Sequence, residues 1–116
     1  MKNKSFHVRL RFALSGIGHA LRSERSFRTQ CLCAFASLLL LVWKRPSPFW
    51  WALFCLSIAL VLSLELVNSS LEALADRLHP EIHPLIQAAK DCAAGAVLVA
   101  SLASLGVFAA FVVSLI

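Results

Sequence analysis

The sequence predicts an all-α membrane protein with an N-terminal amphipathic surface helix and three transmembrane helices, folded as one domain. Two observations predict this class. First, 59% of the 116 residues are hydrophobic and 15% are charged, with a mean hydropathy of +0.79. A soluble domain of this size cannot hide that much apolar surface. Second, the apolar residues gather into three long runs, separated by two short loops rich in proline. Membrane-spanning helices satisfy every backbone polar group internally, so three such runs read as three spans.

Residues 1–28 mix basic and apolar side chains. Phe6, Leu10, Ala13, Leu14, Ile17, Ala20 and Leu21 recur at steps of three and four, while Arg9, Arg11, Arg22 and Arg25 fit a wet or headgroup-facing side. The spacing predicts a helix lying along the membrane surface, loosened or bent at Gly16 and Gly18. Residues 29–43 form the first span, which is short for a full crossing and is expected to begin near Phe27. Lys44-Arg45-Pro46-Ser47-Pro48 is a turn, because two prolines within three residues do not continue a helix. Residues 49–78 form the second span, opened by Phe49, Trp50 and Trp51 as interfacial aromatics, and no Pro or Gly lies between Trp51 and Leu78. His79-Pro80-Glu81-Ile82-His83-Pro84 is the second loop, and residues 85–116 form the third span. The small residues Ala93, Ala94, Gly95 and Ala96, with Ser101, Ser104 and Gly106, offer close helix–helix contact. Three spans make a thin bundle, so association with copies of the same chain is expected.

The charges set the orientation. Lys2, Lys4, Arg9, Arg11, Arg22, Arg25 and Arg28 precede the first span, and Arg77 and Lys90 return to that side, against Lys44 and Arg45 opposite. By the positive-inside rule the N-terminus is cytoplasmic and the C-terminus lies on the far side. That rule accounts for the basic excess better than nucleic acid does, and no nucleic-acid partner is expected. The four cysteines lie within or at the edge of apolar runs without zinc spacing or a disulfide framework, and read as small packing residues. The long basic N-terminus, with no small-residue cleavage site behind it, does not read as a cleavable signal.

Five of the six acidic residues, Glu65, Glu72, Asp76, Glu81 and Asp91, fall in one stretch. On a helix Glu65, Asn68, Ser69, Glu72 and Asp76 share one face. A carboxylate continuing an apolar helix sits in or near lipid, where it needs a partner, a cavity or a job. Topology brings Glu24, Glu72, Asp76, Glu81, Lys90 and Asp91 to the cytoplasmic face, with Glu65 deeper. Carboxylates there can bind Mg²⁺ together with substrate phosphates. A lysine can steady a transferring phosphoryl group, and a buried carboxylate can take a proton from an alcohol. The same stripe fits a proton or ion path or polar glue between helices. A path needs polar groups across the whole bilayer, and nothing acidic or basic lies from Gln30 to Trp43 or from Ala93 to Ile116. No glycine-rich phosphate loop is present, so a nucleotide would be held through side chains and metal.

Glu65-x-x-Asn68-Ser69-Ser70-x-Glu72-x-x-x-Asp76, then Ala89-Lys90-Asp91, with Glu24-Arg25-Ser26-Phe27-Arg28 before the first span, resembles the small bacterial integral-membrane diacylglycerol kinase and undecaprenol kinase family. The resemblance covers nearly the whole chain. It implies a homotrimer in the bacterial inner membrane that uses Mg²⁺ and ATP to phosphorylate a membrane lipid alcohol, diacylglycerol or undecaprenol. It implies that Glu65 is the general base and that Asn68 orients it or the substrate. Glu24 and Glu72 would bind the metal that positions the ATP phosphates. Lys90 would contact phosphate and Asp91 the nucleotide, with Glu81 and His83 on the loop that approaches it. The role of Asp76 is open. Ser5 stands where some relatives carry an arginine against the nucleotide, with Arg9 one turn on. Ala94 stands where some diacylglycerol kinases have serine. His83-Pro84-Leu85 and the run from Ala89 to Val97 look more like the undecaprenol kinase branch.

Overall fold

The structure is a computed structural model that describes residues 3–116. Four helices follow one another: α1 (Phe6–Ser23), α2 (Arg25–Lys44), α3 (Pro48–Leu78) and α4 (Pro84–Ser114). The last three are long and apolar enough to cross a membrane. The protein is therefore all-helical with three candidate spans.

The boundaries follow from local chemistry. Pro48 and Pro84 open α3 and α4 at the first helical position, where the missing N–H is not needed and the ring pre-sets φ. Both helices thus begin one residue earlier than the sequence reading placed them. At the end of α2 Arg45 adopts left-handed geometry (φ 52°, ψ 54°), and its N–H donates to the Leu41 carbonyl at 2.8 Å. This is a left-handed helix cap made with arginine rather than glycine.

The N-terminal segment departs from the expected single helix over residues 1–28. Its helix continues unbroken past Gly16 and Gly18 and stops at Ser23. Glu24 is extended (φ −109°, ψ 108°), and a new helix starts at Arg25. No proline or glycine marks this corner. Arg28 explains it: its Nη1 donates to the carbonyls of Leu21 and Arg22 at 3.0 Å each, satisfying the exposed end of α1. The break hands the last turn of the basic segment to α2. Its 20 residues then reach about 30 Å, enough for a bilayer core.

α3 is the hub and packs against each of the other three helices, most extensively α4. At the end of the bundle away from Glu24, Leu41, Phe54 and Phe111 form a buried cluster, with Trp50 and Trp51 half-buried against it. Phe111 sits edge-to-face on Trp50 and Phe54, with ring centroids 5.3 and 5.4 Å apart. Trp50 therefore serves packing as well as any interface. Outside this cluster little is covered: only 11% of the apolar window in each candidate span is buried. A Cβ added at Gly95 or Gly106 would meet nothing within 4 Å. These small positions of α4 are therefore not used for close contact within one chain, and their faces are left for lipid or for further copies.

Phe111 holds the far end together, so Phe111→Ala should cost about 3 kcal/mol or more of stability. The check is the unfolding midpoint in detergent or bilayer mimic. A midpoint equal to that of the parent would show that the cluster does not hold the bundle.

Candidate functional site

The carboxylates lie where α3 passes the α1–α2 corner and the start of α4. Glu65 is buried, with 4% of its surface exposed, and it is the one buried polar or charged residue among those described. Its Oε1 accepts a hydrogen bond from the Ser26 hydroxyl in the first turn of α2. One turn on, Asn68 Nδ2 donates to Glu72 Oε1 at a long 3.4 Å. Asn68 Oδ1 is buried without a partner. Asn68 was expected to orient the base or the substrate; the structure directs its amide toward Glu72, not toward Glu65. Two turns further, Asp76 Oδ1 accepts from Lys90 Nζ of α4 at 2.7 Å.

One stripe on α3 thus serves three neighbours. Glu65 meets α2, and Asp76 meets α4. Ser69 and Ser70 line a groove of about 310 Å³ against α1, which also takes in Phe12, His19 and Glu24. Glu24 is placed there by the corner at the end of α1, half-buried at the groove wall. Among the described residues no group of three or more His, Cys, Asp or Glu side chains could hold a metal. The donor set of Glu24 and Glu72 fits Mg²⁺ only as an ion that arrives with phosphate oxygens, since Mg²⁺ takes one or two carboxylates and fills its remaining positions with phosphate and water.

The remaining predicted residues are spread around this end. Asp91 accepts from Gln87 Nε2 on its own helix at 2.9 Å. His83 caps α4, its Nδ1 accepting from the Leu85 N–H at 3.1 Å. His79 Nδ1 lies 2.9 Å from the Glu81 carbonyl, and its ring stands edge-on to His83 with centroids 5.5 Å apart. The structure thus brings Glu65, Asn68, Glu72, Asp76 and Lys90 along one line. Glu24 lies on the groove beside it, Glu81 and His83 on the loop above, and Asp91 on an exposed face of α4.

Sequence reasoning passed over three residues. Ser26 read only as part of a motif, Arg28 as part of that motif and as a topogenic charge, and Gln30 as the edge of a span. Gln30 Oε1 is buried without a hydrogen-bond partner and lines the larger cavity, about 680 Å³, among α2, α3 and α4. The available signal was helical register. Ser26 and Gln30 are four residues apart, on one face of α2.

A sequence model described as prokaryotic diacylglycerol kinase matches residues 11–112. The chain belongs to the prokaryotic diacylglycerol kinase family. Within that kinase family it is similar to the diacylglycerol kinase of Synechocystis sp., 35% identical over 98 residues, 84% of this chain and 56% of the relative. The chain thus spans just over half the length of that relative. It is similar to the undecaprenol kinase of Bacillus subtilis, 39% identical over 84 residues, 72% of this chain and 68% of the relative. It is similar also to the diacylglycerol kinase of Escherichia coli, 30% identical over 89 residues, 77% of this chain and 73% of the relative. Family membership and three apolar helices make this a membrane protein of a bacterial kinase family.

The Asp76–Lys90 pair is open to solvent, with side-chain exposures of 68% and 27%. Exposed ion pairs contribute little, because water and salt screen them. Asp76→Asn should therefore leave the thermal unfolding midpoint of the purified protein unchanged. A clear drop would show that the pair is structural rather than a lysine held ready for another anion.

Proposed function

We propose that the chain is an ATP-dependent lipid kinase that transfers the γ-phosphoryl group of Mg²⁺-ATP to a membrane lipid alcohol, diacylglycerol or undecaprenol. The observation that carries this reading is a buried carboxylate, Glu65, in line with a more exposed acidic strip on the same helix that Lys90 of α4 meets at Asp76. Distances along α3 support it. Glu65 lies about 21 Å beyond Trp51, and Glu72 and Asp76 about 32 and 38 Å beyond it. With Trp51 near one interface of a roughly 30 Å core, Glu65 is inside the hydrocarbon and the other two are outside it. A lipid hydroxyl approaches from the first environment and a nucleotide from the second.

In this reading Glu65 accepts the proton of the acceptor alcohol. Lys90, released from Asp76, meets phosphate instead. Glu24 and Glu72 hold Mg²⁺, which when bound neutralises charge on the phosphates. Asp91, Glu81 and His83 border the nucleotide side, and Asp91 and Glu81 are exposed there. The excess of Lys and Arg before α2 supports a cytoplasmic N-terminus in the inner membrane, with the acidic end of α3 facing the nucleotide pool. The largely uncovered apolar faces and the vacant small positions of α4 support a homotrimer, in which copies cover what one chain leaves open. A proton or ion path is not favoured: the large cavity among α2, α3 and α4 is lined by no acidic, basic or histidine side chain.

The relatives' names leave two acceptors. The test is purified protein in mixed micelles with Mg²⁺-ATP and either diacylglycerol or undecaprenol. Phosphorylated lipid is expected with at least one, and none with either would overturn the kinase reading. Glu65→Gln should abolish turnover while nucleotide binding survives, measured by calorimetry or by protection against unfolding. Parental turnover in that variant would remove Glu65 from the role of base.

A further inference from the structure

We propose that Ser26 is the positioning residue for Glu65, its hydroxyl holding one carboxylate oxygen and leaving the other for the acceptor alcohol. This rests on the reading of Glu65 as the base.

Three observations carry it. Glu65 is buried, and among the described residues the Ser26 hydroxyl is the one group that hydrogen-bonds its carboxylate, at Oε1. Asn68, the residue one turn away that could have done this, gives its amide to Glu72 instead. Ser26 itself is exposed, but the turn that carries it is held on both sides. It stands in the first turn of α2 beside Phe27, which is 2% exposed, and two residues before Arg28, whose guanidinium clamps the end of α1. The hydroxyl therefore comes from a turn secured by packing on one side and by hydrogen bonds on the other.

The chemistry suits the role. A carboxylate has two oxygens and about four lone-pair sites, so one donor orients it without blocking it. A buried carboxylate with no donor bears the full cost of desolvation. A lysine or arginine would also answer the charge, but as a strong ion pair it would reduce the carboxylate's readiness to accept a proton. A neutral hydroxyl supplies the donor and keeps the base a base. Proton transfer then depends on holding Oε2 within reach of the alcohol, and misplacement of a reacting group is expensive in rate.

The test compares Ser26→Thr, Ser26→Val and Ser26→Ala in mixed micelles with Mg²⁺-ATP and the lipid alcohol that the parent phosphorylates, with Glu65→Gln measured alongside. Thr and Val have the same shape and differ in the hydroxyl, so their difference isolates the hydrogen bond from packing. Val and Ala should lose roughly tenfold to hundredfold in kcat, the range for a hydrogen bond to a charged group. Their KM for nucleotide should stay unchanged, and Thr should keep most of the parental kcat. Equal kcat for Thr and Val, with Glu65→Gln inactive, overturns the proposal and leaves the base intact. A rise in nucleotide KM at unchanged kcat also overturns it, placing Ser26 with the nucleotide instead. Parental turnover in Glu65→Gln brings down the base and this proposal together.

Discussion

Placing Glu65 between α2 and α3 removes a carboxylate from water, and the cost is several kcal/mol unless the group is hydrogen-bonded or neutral. The surrounding fold can be read as the answer to that cost. Ser26 supplies the donor. For a serine of α2 to reach α3 at this depth, α2 must begin at Arg25 and not four residues later, and that requires the chain to turn at Glu24. The turn leaves the last carbonyls of α1 without helical partners, and Arg28 satisfies two of them. One buried charge, one corner and one arginine therefore belong to a single arrangement. The same corner sets Glu24 against the groove beside Ser69 and Ser70.

α3 carries the consequences along its length. Its first half is almost entirely apolar and meets Leu41 and Phe111 through Phe54 and the tryptophans. Its second half exchanges that packing for polar contacts, to α2 at Glu65, along its own turn at Asn68 and Glu72, and to α4 at Asp76. The two halves do different work. The aromatic end supplies rigidity from dispersion and ring geometry, and the acidic end carries side chains whose contacts can be exchanged. Lys90 illustrates this. Its bond to Asp76 is short at 2.7 Å, yet an exposed pair is held weakly enough that a phosphate could take Asp76's place.

The spans were legible in the sequence because a membrane helix announces itself by length and hydropathy, and because Pro48 and Pro84 mark helix starts by a fixed φ. The acidic stripe was legible because helical period alone puts Glu65, Asn68, Glu72 and Asp76 on one face. The corner at Glu24 was not, since neither glycine nor proline causes it. It depends on a side chain, Arg28, reaching back six and seven residues, and no local propensity records such a reach. Gly16 and Gly18 drew attention for the same reason that Glu24 escaped it: composition marks where a chain is able to bend, and tertiary bonds decide where it does. Partner choice was equally hidden. Periodicity showed that Asn68 and Glu65 are neighbours, but not that the amide would turn toward Glu72 while a hydroxyl from another helix took Glu65.

The proposed reaction joins two substrates that share no solvent, and the structure bears on how one small chain can serve both. A site wholly in water could not present a lipid hydroxyl, and one wholly in hydrocarbon could not hold nucleotide phosphates and their metal. α3 is 31 residues long, about 46 Å, so it overruns a roughly 30 Å core and keeps the solvated and the buried carboxylates on one rigid axis. The spacing between Glu65 and Glu72 is then fixed by helix geometry, two turns or about 10 Å, rather than by a flexible loop. What one chain does not supply is enclosure. Its spans are mostly uncovered, and a Cβ added at Gly95 or Gly106 of α4 would meet nothing within 4 Å. In the proposed trimer those open faces would be closed by other copies. Closure matters most beside Glu65, where stray water would solvate the carboxylate that, among the described residues, Ser26 alone hydrogen-bonds.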